Sequence, residues 1–184
     1  QFRRIVWNDF TGMLKGTAFL LVTGIGLLNM FMNLSFSTSL YENTIHPVTY
    51  HVIDVIEGGF GLFTAIIIVF YSGLLVWKER EPKMDEIQDA TPLPLGLGLF
   101  SKYVSLLLLL LTVLVVTALG GMVFQLIKGY THIQPGVYLG YYILPGILYF
   151  GVQAALSFLC HVLVNNKYVG YAVFLVLLGV NLLL

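Results

Sequence analysis

Apolar residues fill most of the chain in long blocks, and the polar positions between them set the element boundaries. An α-helix needs about 20 predominantly apolar residues to cross the hydrocarbon core of a bilayer. By that measure spans are predicted at about 16–36, 51–77, 102–127, 143–164 and 168–184. The expected fold class is therefore all-α, a polytopic membrane helix bundle with about five transmembrane helices. Residues 1–15 carry a different pattern. Phe2, Val6, Phe10 and Met13 form one apolar stripe, while Arg3, Arg4, Asp9 and Lys15 lie elsewhere. Trp7 suits the headgroup region. This reads as an interfacial helix lying flat before the first span, with a soluble tail as the alternative.

The main interruption is the stretch Trp77–Pro92, which holds Lys78, Glu79, Arg80, Glu81, Lys83, Asp85, Glu86 and Asp89. So dense a charge block belongs in water. Pro82 suits a first helical turn, where its missing N–H costs nothing. Met84, Ile87 and Ala90 recur every three residues and share one side of a short helix, flanked by Asp85, Glu86 and Asp89. Pro92 and Pro94 stop that helix near Thr91. Two readings remain open: an ordinary solvated loop, or a docking helix that presents Met84 and Ile87 to a soluble partner. Beyond it, Pro94–Phe100 is rich in Gly and Pro and is expected to turn back toward the membrane.

The block also carries a resemblance. Glu79-Arg80-Glu81, then Met84, Glu86-Ile87 and Ala90-Thr91-Pro92, placed between two spans, resembles the cytoplasmic coupling helix of ABC-2 type permeases. Lys83 departs from the pattern, which commonly has Gly there. Further stretches are similar to bacterial proteins that fuse such a permease to an M1-family aminopeptidase. These are Leu40-Tyr41, Tyr50–Asp54, Phe70–Arg80, Lys128–Tyr130 and Val164–Tyr168, which together run along most of the chain in order. The resemblance implies a permease module, half of a two-fold assembly, moved by a separate ABC ATP-binding subunit. That subunit would grip the coupling residues Glu79, Arg80, Glu81, Met84, Glu86, Ile87 and Asp89.

Composition supports the membrane class. Of the 184 residues 58% are hydrophobic and 10% charged, against about 25% charged in average chains. The net charge is zero, so nucleic acid is not an expected partner. Membrane lipid is. The single Cys160 excludes an internal disulfide framework and has no thiol partner for a metal. The chain starts at Gln1 and ends in an apolar run of barely span length. A free carboxylate at the edge of the hydrocarbon would be expensive, so the chain is expected to belong to a longer polypeptide. A native mass near that of this chain would contradict that expectation.

Polar residues inside the spans mark candidate sites. Asn29 and Asn33 lie four apart on one helix face, either as hydrogen-bonding glue between helices or on a transport path. His51, Asp54 and Glu57 follow i, i+3, i+6 spacing and share a face. Gly58, Gly61, Ala65 and Ser72 continue that side as a small-residue stripe suited to close helix contact. Carboxylates at membrane depth are costly and usually face protein or water. Asp54 and Glu57 are thus candidates for a gate or substrate path. Alternatively they sit in the outer headgroup layer, paired with His51 or backbone.

In the later spans, Ser105 and Thr112 share a face, and Gly120-Gly121 permits close approach or a mild kink. Val137–Tyr142 suits a short interfacial helix ahead of the fourth span. Asn165-Asn166-Lys167 is a tight turn into the fifth. A membrane haem would need two His at matching depth. Of His46, His51, His132 and His161 only His51 and His132 approach that, and His132 falls in a connection. No cofactor or metal is expected in this chain.

Basic residues set the expected orientation. With the N-terminus in the cytoplasm, Arg3, Arg4, Lys15, Lys78, Arg80, Lys83, Lys102 and Lys167 lie inside and Lys128 alone lies outside, a positive-inside bias. The expected location is a bacterial cytoplasmic membrane. No zincin H-E-x-x-H, no P-loop and no nucleophile elbow occurs, so catalysis is not expected within this chain. Three functions stand side by side: the membrane module of an ATP-driven exporter, an anchor for a fused extracytoplasmic peptidase, or an ion-coupled carrier using Asp54 and Glu57.

Overall fold

The computed structural model describes residues 2–38, 47–80, 95–164 and 166–183. Within them lie six helices: α1 (Phe2–Leu14), α2 (Thr17–Thr38), α3 (Thr49–Arg80), α4 (Leu95–Ile127), α5 (Pro135–Leu163) and α6 (Lys167–Leu183). No strand occurs among the described residues. Helices α2 to α5 are each long and apolar enough to cross a membrane. This is an all-α, polytopic membrane protein. Helix α6, at 17 residues, falls just short of that length within the described residues.

The chain divides into two compact units. Unit 1 comprises residues 1–15, 66–109 and 150–184; unit 2 comprises residues 16–65 and 110–149. The division falls inside α3, α4 and α5.

Unit 1 is built on Ile67, Ile68, Leu75, Leu106 and Leu109, all fully or almost fully buried. Helix α1 packs into it. Val6 and Met13 of the expected stripe are buried, Phe2 stacks on Phe100 and Trp7 stays exposed. Ser105 donates from Oγ to the Val6 carbonyl at 3.1 Å, and Lys78 pairs with Asp9 at 3.8 Å. Lys102, expected at the cytoplasmic start of the third span, is buried in this unit.

In unit 2, α2 buries Phe19, Thr23, Gly26, Met30, Leu34 and Thr38. This stripe at three- and four-residue spacing cannot be read from hydropathy, because the exposed face is equally apolar. Gly121 of α4 approaches α3 closely. A Cβ there would stand 2.7 Å from Ile56 Cδ1 and 3.1 Å from the Tyr138 hydroxyl. The expected close approach at Gly120-Gly121 is therefore present. Helix α4 ends on Gly129, whose φ of 79° suits glycine. There Gly129 N–H bonds to the Leu126 carbonyl and Tyr130 N–H to that of Gln125, the paired bonds of a Schellman cap.

Two helix boundaries differ from the sequence expectation. Leu95–Phe100 is not a turn but the first part of α4. Ser101 Oγ donates to the Gly98 carbonyl, and the Phe2–Phe100 stack holds the exposed side. Val137–Tyr142 is not a separate helix but lies within α5. Tyr138–Ile143 is a π-helical stretch, with Leu144 N–H bonded five residues back to the Leu139 carbonyl. Pro145 follows at once. It has no N–H to give and its ring crowds the preceding turn, and a π-bulge lets the helix continue past it. After α5, Asn166 caps α6 by accepting Tyr168 N–H on Oδ1 at 3.0 Å.

Candidate functional site

Polar side chains gather in three places, two in unit 2 and one in unit 1. The first is an open groove of about 610 Å³ between α2 and α3. Its polar wall is Asn29, Asn33 and Ser37 of α2; its apolar wall is Phe36 together with Val55, Leu62 and Phe63. Gly58 and Gly59 form the floor. Asn33 donates from Nδ2 to both the backbone carbonyl and the Oδ1 of Asn29, at 2.9 and 3.0 Å. The two amides therefore bond to each other along α2 rather than to a neighbouring helix. The Asn29 Nδ2 donor and the Asn33 Oδ1 acceptor have no hydrogen bond among the described residues. A Cβ on Gly59 would stand 3.6 Å from Asn33 Nδ2 and 3.7 Å from Asn29 Oδ1, the two atoms of their mutual hydrogen bond.

Asp54 and Glu57 of α3 are exposed, and neither is among the residues that line this groove. Neither has an ion pair or hydrogen bond among the described residues. The expected pairing with His51 is absent, and His51 Nε2 is itself buried without a hydrogen bond there. They are the sixth and ninth residues of a candidate span, hence about 8–12 Å along its axis. An acidic side chain at a helix centre costs about 2.5–3.5 kcal/mol on insertion scales. The expected small-residue contact stripe is also corrected. Nothing lies within 4 Å of a Cβ at Gly58 or Gly61, so this face of α3 is open in the chain. Ser72 is the exception, and it belongs to unit 1.

The second place seals the far end of unit 2. Gln125, fully buried, donates from Nε2 to the Pro47 carbonyl at 2.8 Å and to Thr49 Oγ1 at 3.3 Å. Its Oε1 accepts the Tyr138 hydroxyl at 2.9 Å. One carboxamide thus ties the start of α3 to α4 and to the π stretch of α5. Tyr142, one turn on, shares a 2.7 Å hydrogen bond with Thr117.

The third place lies in unit 1. Ser72 and Ser157 share a short, fully buried hydroxyl–hydroxyl bond between α3 and α5. One and a half turns on, Trp77 Nε1 donates to His161 Nδ1 at 3.3 Å. The His161 ring meets Tyr171 of α6 edge-on at 4.7 Å. Gly73 and Gly170 make room: a Cβ on Gly73 would strike the Tyr171 ring, and one on Gly170 would stand 2.5 Å from His161 Nδ1. This node fixes the last turns of α3, ahead of the charged segment.

Of the coupling residues, Glu79 and Arg80 close α3. Glu81, Met84, Glu86, Ile87 and Asp89 lie outside the described residues. The sequence singled out Asn29, Asn33, His51, Asp54 and Glu57; Asn29 and Asn33 line the groove of unit 2, and His51, Asp54 and Glu57 are not among its lining residues. It did not single out Gln125, Tyr138, Trp77 or the Ser72–Ser157 pair as partners. The available signal was isolated polar residues in apolar helices, which names candidates but not pairings. Among the described residues no three His, Cys, Asp or Glu side chains gather at one point. Comparison of the chain with protein-family models, curated proteins and solved structures finds no match.

Proposed function

We propose that this chain is the permease module of an ABC-2 type, ATP-driven exporter, moved by a separate ATP-binding subunit and working with a second permease half or copy. One observation carries most weight. Helix α3 runs without a break from Thr49 to Arg80, directly into the charged segment. Its last turns are held to α5 by Ser72–Ser157 and Trp77–His161, and to α1 by Lys78–Asp9. A push on residues 81–94 is then delivered to a clamped helix rather than dissipated in a loose loop. Interfaces of this packed kind shift between discrete arrangements instead of deforming smoothly. The distribution of basic residues favours placing the charged segment and the N-terminus in the cytoplasm of a bacterial cell, where ATP is available.

In this reading the chain carries out no covalent chemistry and holds no cofactor or metal. The energy comes from the partner, and the chain contributes a path and a handle. The test is to purify the native protein with its membrane and ask whether a nucleotide-binding subunit accompanies it, with ATPase activity that the permease stimulates. Glu79→Lys with Glu81→Lys, or Ile87→Asp, abolishes that stimulation while the membrane part stays folded. A permease that purifies alone from its native membrane, with an extracytoplasmic peptidase attached, supports the anchor reading instead.

A further inference from the structure

We infer that the exposed side of α1 in unit 1 is a docking surface for anionic phospholipid headgroups, gripped by Arg3, Arg4 and Lys15 beside Trp7. The inference goes beyond the exporter reading and holds equally if the chain is an anchor.

Contacts put α1 at a membrane boundary. Asp9 pairs with Lys78 at 3.8 Å, and Lys78 is the last residue of the candidate span Thr49–Lys78. Phe2 stacks on Phe100, in the first turns of the candidate span Gly96–Ile127. Lys15 stands just ahead of Thr17, where the candidate span of α2 begins. The start, middle and end of α1 are thus each tied to the end of a span. Its inner side is Val6 and Met13, with the Val6 carbonyl held by Ser105 Oγ at 3.1 Å. These contacts fix which side of the helix is turned outward.

The outward side carries the chemistry. By helical projection Trp7, Phe10 and Leu14 form a flank beside the buried Val6–Met13 line, and Arg4 and Lys15 share a line opposite it. Lys15 N–H bonds to the Thr11 carbonyl at 3.1 Å, so Lys15 extends the helical turn. Trp7 is 62% exposed and packs against Phe10 with ring centroids 5.6 Å apart. Tryptophan favours the headgroup layer, and a helix with an apolar flank and a basic one lies in that layer. Arg3, Arg4 and Lys15 are exposed and form no ion pair among the described residues. Asp9, the one acidic residue of α1, is taken by Lys78. Three cations therefore face the headgroups without a counterion from their own helix. Guanidinium groups fit phosphate oxygens in a bidentate fork. A zwitterionic headgroup brings an ammonium of its own to these cations, and an anionic one does not. Each basic side chain beside an anionic surface strengthens binding by about fivefold.

The experiment is tryptophan fluorescence of the full chain in phosphatidylcholine nanodiscs that carry a minor share of lipid brominated near the headgroup. The brominated lipid is either phosphatidylglycerol or phosphatidylcholine. The chain has two tryptophans, Trp7 and the buried Trp77, so the quenching lost in Trp7→Phe reports Trp7. Phosphatidylglycerol is expected to quench Trp7 at a mole fraction at least tenfold lower than phosphatidylcholine. Added salt, which screens exposed charges, is expected to narrow that difference. Arg3→Gln, Arg4→Gln and Lys15→Gln together are expected to erase it, with quenching by phosphatidylcholine and the unfolding temperature unchanged. Equal quenching by the two lipids in the native chain overturns the inference. So does a preference that salt and the triple variant both leave intact, or a Trp7 that neither lipid quenches. Were the acidic residues of 81–94 the occupants of this face, the native chain would show no preference. Asp85→Asn with Glu86→Gln and Asp89→Asn would then create one, which also overturns it.

Discussion

Trp77 Nε1 donates a hydrogen bond to His161 Nδ1 at 3.3 Å, with the two residues only 8% and 0% exposed. The pair joins α3 to α5 beside the ring of Tyr171. Polar pairs between membrane helices couple by about 0.6 kcal/mol on average and up to about 1.7. A double-mutant cycle with Trp77→Phe and His161→Leu, read by thermal unfolding in detergent, is expected to give a coupling in that range. Strict additivity would show that the bond contributes nothing. Gly170→Leu is expected to cost more, about 1–3 kcal/mol, because its side chain must displace the imidazole.

Gln125 offers a prediction with a definite sign. Gln125→Leu removes the acceptor for the Tyr138 hydroxyl and the donor to the Pro47 carbonyl. Leaving buried polar groups unmatched costs about 1–3 kcal/mol. Adding Tyr138→Phe removes one of the stranded groups. The double mutant should therefore unfold at a higher temperature than Gln125→Leu alone. A further drop on adding Tyr138→Phe would show that the hydroxyl is held by something else.

Glycines separate by what surrounds them. Gly58 has open space where a Cβ would stand, so Gly58→Ala should stabilise α3 by up to about 1 kcal/mol. Gly121 faces Ile56 and Tyr138 closely, so Gly121→Leu should destabilise by about 1–3 kcal/mol. Thermal unfolding of both variants checks the contrast, and shifts of the same sign would contradict it.

Gly129 holds its positive φ at the end of α4. Gly129→Ala places a side chain in the left-handed region, at a cost of about 1–2 kcal/mol. Local opening of the α4 C-terminus, followed by amide exchange at Tyr130, is expected to speed up accordingly. Unchanged exchange would mean the Schellman bonds do not govern that end.

How much of this was legible in the sequence follows from what apolar patterning encodes. Length and hydropathy announce α2, α3 and the body of α4, because a bilayer demands about 20 apolar residues whatever they pack against. The same uniformity hides which face is inward. Gly58 and Gly121 look alike in sequence, yet one is open and the other in close contact. Pro92, Pro94, Gly96 and Gly98 signalled a turn, and the contacts of Phe100 and Ser101 hold Leu95–Phe100 helical regardless. The fourth span was expected to begin near residue 143, but the π stretch before Pro145 carries the helix through. Asn29, Asn33, Asp54 and Glu57 stood out because polar groups are expensive at that depth. Trp77 and His161 did not, because a pairing 84 residues apart leaves no local mark.

The central claim is that the charged segment after α3 is a handle worked by a nucleotide-driven subunit. The most direct measurement is ATP hydrolysis by the complex isolated from its native membrane, with and without Glu79→Lys and Glu81→Lys. The account predicts an ATPase that travels with this chain, is stimulated by it, and loses that stimulation in the charge-reversed variant while the helices unfold at an unchanged temperature. An ATPase rate indifferent to the reversal, or no ATPase in the isolated complex, would contradict it.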